Sequence, residues 1–228
     1  MFTHQFNQDL DFLLSKIIKK EPFAFARYAD GELAVMRNHH ITGCDGWSVT
    51  EQDKPFAEEL KTSLSHKEDN YFYGISCPCC DSPAHIHFKN LLYPRWNKTT
   101  FSNLFVNSNW KKSYNFFMGY ENKIFICNEN AKLNVPFFKV PADVLNSFRT
   151  NKEVLKKYYS EIARNHSNVL FCISAGPLAE LIIHWMYTEN PENQYVDIGS
   201  CLDVHIHGKA TRSYHTQNGG YSDKVCNF

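Results

Sequence analysis

An α/β domain with a largely parallel sheet flanked by helices is the fold class this sequence predicts, and three observations predict it. Short apolar runs of strand length recur at Phe23 to Tyr28, Tyr71 to Ile75, Lys123 to Cys127, Val135 to Val140, Val169 to Ile173 and Tyr195 to Ile198. Between several of them lie stretches whose apolar residues repeat every three or four positions, the period of a helix buried on one face. The strand-like runs and helical stretches alternate, which is the order of a layered α/β domain rather than of a bundle or sandwich. In such domains ligands bind at the carboxyl ends of the strands, so the residues that follow each run carry the functional question.

The elements follow in order. Phe6, Leu10, Leu13, Leu14, Ile17 and Ile18 share one helical stripe, with Lys16, Lys19 and Lys20 gathered near its C-terminal end, where the helix dipole favours positive charge. Pro22 breaks that helix, and the run from Phe23 to Tyr28 ends in Asp30-Gly31-Glu32. Thr50 to Asp53 opens a second helix carrying Phe56, Leu60 and Leu64, and Tyr71 to Ile75 is the next strand. Ser82-Pro83 supplies an N-cap and first-turn proline for a helix through about Leu92. From Trp96 to Gly119 the chain is aromatic and Asn-rich, and its pattern assigns no element. The expected organisation is one domain over residues 1–228 with a loop-rich aromatic insertion around residues 93–119. Val154, Leu155, Tyr158 and Ile162 mark a later helix, and Val169 to Ile173 runs through Ser174-Ala175-Gly176-Pro177 into a helix with Leu178, Leu181, Ile182 and Trp185.

Composition excludes several function classes. The 228 residues carry 24 Lys+Arg against 24 Asp+Glu, without the basic excess that gripping a nucleic-acid polymer requires. Hydrophobic residues at 43% and aromatics at 15% fit a packed core rather than a disordered chain. No signal-peptide pattern opens the sequence and no run of about 18 apolar residues occurs, so the expectation is a cytoplasmic protein without a transmembrane segment. Eight cysteines are then expected to be reduced thiols, because a chain of this length does not need a disulfide framework.

Four constellations can carry chemistry. Asp30 and Glu32 flank one glycine just past a strand, where two carboxylates can reach a hard divalent cation; an ordinary Asp-Gly turn is the plainer reading. Arg27, at the end of the same strand, has a planar fork suited to phosphate or to an ion pair. Ser174, Ala175 and Gly176 precede a helix start, whose exposed N–H groups make an anion site or simply a tight turn. The segment is neither a Walker loop nor a dinucleotide fingerprint. Asp197, Gly199 and Ser200 are followed by Asp203, His205 and His207, whose alternation would aim polar groups to one face of an extended segment. Finally, Cys77-Pro78-Cys79-Cys80 with His85 and His87 behind it fits a thiol–disulfide oxidoreductase using Cys77 and Cys80, a zinc-stabilised binding module, or buried reduced thiols.

Taken together, Phe25-Ala26-Arg27-Tyr28-Ala29-Asp30-Gly31-Glu32, Ser174-Ala175-Gly176-Pro177-Leu178-Ala179 and Tyr195-Val196-Asp197-Ile198-Gly199 resemble the glycosyltransferases of the GT-D fold, in order and in spacing. That family has an Arg-x-Gly-Asp-Gly-Glu segment supplying an Asp-x-Glu metal motif, and a Gly-Pro turn followed by an Asp-Ile-Gly strand in a Rossmann-like domain. The resemblance spans residues 20–205, and its specific part is about 20 residues in two blocks. It implies that Asp30 and Glu32 bind a divalent cation, Mn²⁺ or Mg²⁺, and act in catalysis; Asp203 is a further catalytic candidate from its residue type rather than from the resemblance. It places Arg27, Ser174, Ala175, Gly176, Asp197 and Gly199 around the donor phosphates; His205 and His207, outside the matching residues, are candidates to complete the metal shell on their residue type alone. Ala29 stands where the family usually has Gly, and Ser200 to His207 replaces a more acidic and aromatic stretch.

The implied reaction moves a hexosyl or pentosyl group from a nucleoside-diphosphate sugar, with UDP the expected nucleotide, to a hydroxyl on a glycan or glycoprotein. A cation, Arg27 and helix-start amides would stabilise the departing diphosphate. Glu32, Asp203, His205 and His207 are all eligible to take the acceptor proton. Trp47, Tyr93, Trp96 and Trp110 are candidate stacking platforms, and the segments 44–47 and 93–110 are where specificity could be built. A homo-oligomer is compatible with the sequence.

Overall fold

A computed structural model of the chain describes residues 1–40 and 48–216; the sequence-predicted loop at Cys44 to Trp47 lies outside the described residues. Among the described residues, seven strands form one parallel sheet in the order β3-β2-β1-β7-β6-β4-β5. They are β1 (Phe23–Tyr28), β2 (Tyr71–Ile75), β3 (Thr99–Phe101), β4 (Lys123–Asn128), β5 (Phe137–Val140), β6 (Leu170–Ser174) and β7 (Gln194–Asp197). The helices are α1 (Phe6–Ile18), α2 (Asp30–Met36), α3 (Lys54–Ser63), α4 (Ser82–Leu92), α5 (Trp110–Gly119), α6 (Val144–Arg164), α7 (Ala179–Glu189) and α8 (Asp203–Ile206).

The alternation of a strand explains the two cores. Ala24, Ala26 and Tyr28 of β1 face a layer made by α2, α3, α4, α6 and α7, together with Phe56, Phe88, Phe148 and Trp185. Phe23 and Phe25 face the opposite layer, where Leu10 and Leu13 of α1 meet Phe105, Phe117 and Leu202. Because both faces are covered, β1, β2 and β6 are apolar at almost every position. Crossover handedness accounts for which helix lies where. The steps from β1 to β2, β2 to β3, β5 to β6 and β6 to β7 all run one way across the sheet, and their helices share one layer. The step from β3 to β4 runs back across it, so with the same right-handed crossover α5 must cover the other face.

The aromatic stretch where the sequence pattern assigns no element contains the edge strand β3 and helix α5. β3 is only three residues long, too short for a readable period. Helix α6 is longer than its apolar repeat indicates, with a non-helical residue at Asn151 separating two helical pieces. The segment after β7 is a further difference: Gly199–Leu202 is a 3₁₀ turn leading into α8, so Asp203, His205 and His207 are not alternating positions on an extended chain. The left-handed Gly199, at φ +51°, turns the chain out of β7 before alternation could continue. No helix among the described residues is long and apolar enough to cross a membrane.

Candidate functional site

The first and last strands lie side by side at the middle of the sheet, pairing Phe23 with Gln194 and Phe25 with Val196. Their carboxyl ends therefore open next to each other, with β6 beyond β7 through the pairing of Ile173 with Asp197. This topology brings together Arg27 and Asp30-Gly31-Glu32 from β1 and α2, Asp197 and Gly199 from β7, and Ser174 from β6. Residues separated by about 170 positions in sequence thus share one edge.

Asp30 is the first residue of α2 and is exposed, whereas Glu32 turns inward and its Oε2 accepts from the N–H of Ala29 at 2.7 Å. That reach back is half of a capping box, and it fixes the strand-to-helix turn. Burial pushes the Glu32 carboxyl up to about 7, with the Asp197 and Asp30 charges adding to the rise and the Ala29 N–H opposing it. Asp197 is buried at the end of β7, where its Oδ1 accepts from Gly199 N–H at 2.7 Å and lies 3.8 Å from Arg27 Nη1. Burial raises Asp197 above the ordinary carboxylate range, and Arg27 acts against that rise.

A residue absent from the sequence-based set completes this group. Glu180, in the first turn of α7, is 1% exposed, and its carboxyl is raised well above the usual range by burial and by the charges of Glu32 and Asp197. The carboxyls of Glu180 and Asp197 interact electrostatically, and Glu180 Oε2 is buried without a hydrogen-bond partner among the described residues. The signal that could have found it is an acidic residue at the buried face of an apolar helix, one position after the Pro177-Leu178-Ala179 turn.

Arg27 is mostly covered, with 13% of its side chain exposed, and the Gly199 turn lies across its guanidinium. Among the described residues its Nε and Nη1 have no hydrogen-bond acceptor. It sits as a fixed positive charge beneath the turn, beside Asp197, rather than as a fork reaching outward. Ser174 and Ala175 line a crevice at the carboxyl ends of β4 and β6 together with Asn128, Pro141 and His207. Gly176, exposed and at φ +52°, starts the 3₁₀ turn that leads into α7.

The remaining predicted residues lie further along the same edge. Asp203 is buried at the start of α8 and accepts from Thr211 Oγ1, with His207 Nε2 4.0 Å from its Oδ1. His205 stacks on Tyr114, with ring centroids 5.3 Å apart, and is hydrogen-bonded to the Tyr114 hydroxyl. The helical turn thus separates His205 from His207, which shares its crevice with Ser174. Trp96 is stacked on His4, Trp110 donates from Nε1 to Cys201 O at 2.8 Å, and Tyr93 is 75% exposed.

The carboxyl groups of Asp30, Glu32, Asp197 and Glu180 interact electrostatically and Arg27 is the cation acting on Asp197, but among the described residues no three of these carboxyls bring oxygens within 4.8 Å of one another, so the oxygen donors that fit a hard cation are the Asp30 and Glu32 pair. Burial lifts three of them, so a divalent ion bound by the accessible carboxylates would relieve the accumulated repulsion.

No family model and no curated protein matches this sequence. Solved structures do match in three dimensions. One, described as a new glycosyltransferase (DUF1792) from Streptococcus sanguinis, has a TM-score of 0.55 at 15% identity, over 97% of this chain and 92% of that one. Another, described as the highly conserved domain of unknown function 1792 with a distinct glycosyltransferase fold, has a TM-score of 0.53 at 15% identity, over 95% and 88%. A selenomethionine-substituted structure of domain of unknown function 1792 aligns equally well. The parallel sheet with its two helical layers is therefore a glycosyltransferase fold.

Proposed function

We propose that this protein is a metal-dependent glycosyltransferase that moves a sugar from a nucleoside-diphosphate sugar to a hydroxyl of a glycan or glycoprotein. The observation that carries the reading is the meeting of Asp30 and Glu32 with Asp197, itself beside Arg27, at the carboxyl edge of β1 and β7, on a sheet with glycosyltransferase-fold neighbours. Asp30 and Glu32 would hold the cation, Mn²⁺ or Mg²⁺. When bound, the ion supplies neutralising charge for a departing diphosphate.

The residues have separate tasks in this reading. Asp30, exposed at the mouth, offers its carboxylate outward, while Glu32 keeps one oxygen on Ala29 N–H and holds the turn in place. Asp197 accepts from Gly199 N–H, which keeps the β7 turn over Arg27, and Glu180 acts on Asp197 electrostatically. Arg27 contributes buried positive charge, and the Ser174-to-Gly176 turn leads into the start of α7, where free amides would favour an anion. With UDP as the expected nucleotide, its phosphates would lie between these groups. With Glu32 on the cation, acceptance of the acceptor proton falls to Asp203 or His207.

The test is release of nucleoside diphosphate from a panel of nucleotide sugars, with Mn²⁺ or Mg²⁺ and with glycan and glycoprotein acceptors. The reading requires metal-dependent turnover of at least one donor and a loss of at least about a hundredfold in Asp30→Asn. Turnover that ignores both EDTA and Asp30→Asn would remove the metal motif from the mechanism.

A further inference from the structure

The Cys-Pro-Cys-Cys segment lies at the carboxyl end of β2, next to β1, and is not part of the carboxylate site. Ser76, just past β2, donates its N–H to Tyr28 O at 3.2 Å, so the cysteine turn starts beside the strand that leads to Asp30. The turn is tightly built: the N–H groups of Cys80 and Asp81 both donate to Cys77 O at 3.1 Å. Asp81 then caps α4 by accepting from Ala84 N–H at 3.0 Å. Wrapping the chain in this way turns three sulfurs toward one point. Cys77 Sγ lies 2.9 Å from Cys79 Sγ, and Cys79 Sγ lies 3.9 Å from Cys80 Sγ. Among the described residues, these three side chains form the group of potential metal ligands whose donor atoms all lie within 4.8 Å of one another.

A second observation points to a charged occupant. Asn103, 8% exposed in the loop after β3, directs its side-chain amide at Cys77 Sγ (3.6 Å) and Cys80 Sγ (3.7 Å). N–H groups aimed at two sulfurs favour thiolates over neutral thiols, and outer donors of this kind orient and tune metal ligands. The two histidines that follow in sequence are engaged elsewhere: His85 Nδ1 is 2.9 Å from Ser76 O, and His87 packs on Phe88. The sulfur spacing also suits a small thiophilic ion. With Zn–S near 2.3 Å, tetrahedral sulfurs stand about 3.8 Å apart, close to the separation of Cys79 from Cys80; the exposed Cys79 reaches the same distance from Cys77 by moving about 1 Å.

We propose that Cys77, Cys79 and Cys80 bind a zinc ion as thiolates, forming a soft-metal site that braces the wall beside the carboxylate site and is chemically distinct from it. Each ligand loses its proton to solvent on coordination, no electron is transferred, and a further donor completes four-coordination. Oxygen ligands at Asp30 and Glu32 select a hard ion, whereas three thiolates select zinc over Mn²⁺ and Mg²⁺, so the two sites fill independently. The inference stands whether or not the protein transfers sugars.

The experiment uses the full chain, purified under reducing conditions, stripped of metal, and titrated with Co²⁺ and then Zn²⁺. The expected result is one equivalent of Co²⁺ per chain with a thiolate-to-cobalt charge-transfer band and tetrahedral ligand-field bands, erased by one equivalent of Zn²⁺. Asp30→Asn/Glu32→Gln should keep those bands, and Cys79→Ser/Cys80→Ser, which alters only exposed thiols, should lose them while unfolding cooperatively. Single Cys80→Ser, with affinity reduced at least tenfold, covers the case in which the double variant fails to fold. The proposal is overturned if reduced protein develops no charge-transfer band, if the band survives Cys79→Ser/Cys80→Ser, or if mass spectrometry finds a Cys77–Cys79 disulfide that re-forms in the presence of excess zinc.

Discussion

Gly199 lies so close over the guanidinium of Arg27 that a Cβ at this position would stand 2.6 Å from Arg27 Cζ. The same glycine has φ +51° and donates its N–H to Asp197. Conformation, close approach and hydrogen bonding thus coincide at one residue. Gly199→Ala carries about 1–2 kcal/mol of left-handed backbone strain and must also displace Arg27 from beneath the turn. The expected outcome is a loss of at least about 2 kcal/mol in urea unfolding, together with weaker nucleotide binding. Wild-type values for both would mean that the turn adapts without using Arg27.

Glu180 offers a test of protonation. Because burial raises its carboxyl and so favours the neutral form, Glu180→Gln keeps the shape and removes the titrating group, and should change stability by less than about 1 kcal/mol. Glu180→Ala opens space under α7, with an expected loss of about 2–4 kcal/mol. Denaturant unfolding at pH 7 separates the two. Equal losses would show that Glu180 is ionised and depends on its charge.

Gly31 separates folding from binding. A Cβ there meets nothing within 4 Å, and its backbone lies in the first turn of α2. Gly31→Ala should leave stability unchanged or raise it by up to about 1 kcal/mol, since alanine is the better helix former. If the open space beside Gly31 receives the donor sugar, the same substitution raises the donor KM. Unchanged kinetics would place the sugar elsewhere.

Among the groups that make stability pH-dependent, His184 and Glu32 act in opposite directions. Burial, followed by the His66 beside it, lowers His184 to about 4, so between about 4 and the unfolded value of 6.5 the unfolded chain binds more protons and stability falls on acidification. Glu32 is raised from 4.5 to about 7, so in that range the folded chain binds more protons and stability falls as pH rises. Over pH 5–6.5 the two slopes oppose, each at most about 1.4 kcal/mol per pH unit. In metal-free buffer, Glu32→Gln should steepen the loss of stability toward low pH, and His184→Gln should leave stability declining toward neutral pH. Identical profiles for both variants and wild type would contradict these assignments.

The sheet was legible in the sequence where strands are buried on both sides, because runs such as Leu170 to Ile173 have no reason to be apolar throughout except double coverage. β3 was not, because three residues give no period, and neither was α5, whose stripe of Ser113 and Phe117 is hidden among surrounding aromatic residues. Asp30, Glu32, Asp197 and Arg27 were legible because each stands at a strand end. Glu180 was not, because its role depends on α7 packing its first turn against the end of β7, a contact that local sequence does not encode. The His205 and His207 pair was misread as extended because the left-handed bend at Gly199 reverses the chain first. The thiol cluster was half legible: Cys77 and Cys80 suggested it, but the turn adds Cys79, and the partner amide comes from Asn103 rather than from the histidines.

Metal-dependent recognition of a nucleoside diphosphate is the central claim, and thermal unfolding with UDP, GDP, ADP or CDP, each with and without Mn²⁺, tests it most directly. The account predicts that one of them, with UDP the expected one, at about a hundredfold excess over its Kd raises the Tm by about 5–10 °C with Mn²⁺ and by much less without it, and that Asp30→Asn/Glu32→Gln abolishes the difference. If no nucleoside diphosphate shifts the Tm further with the metal than without it, and the double variant behaves as wild type, the account is wrong.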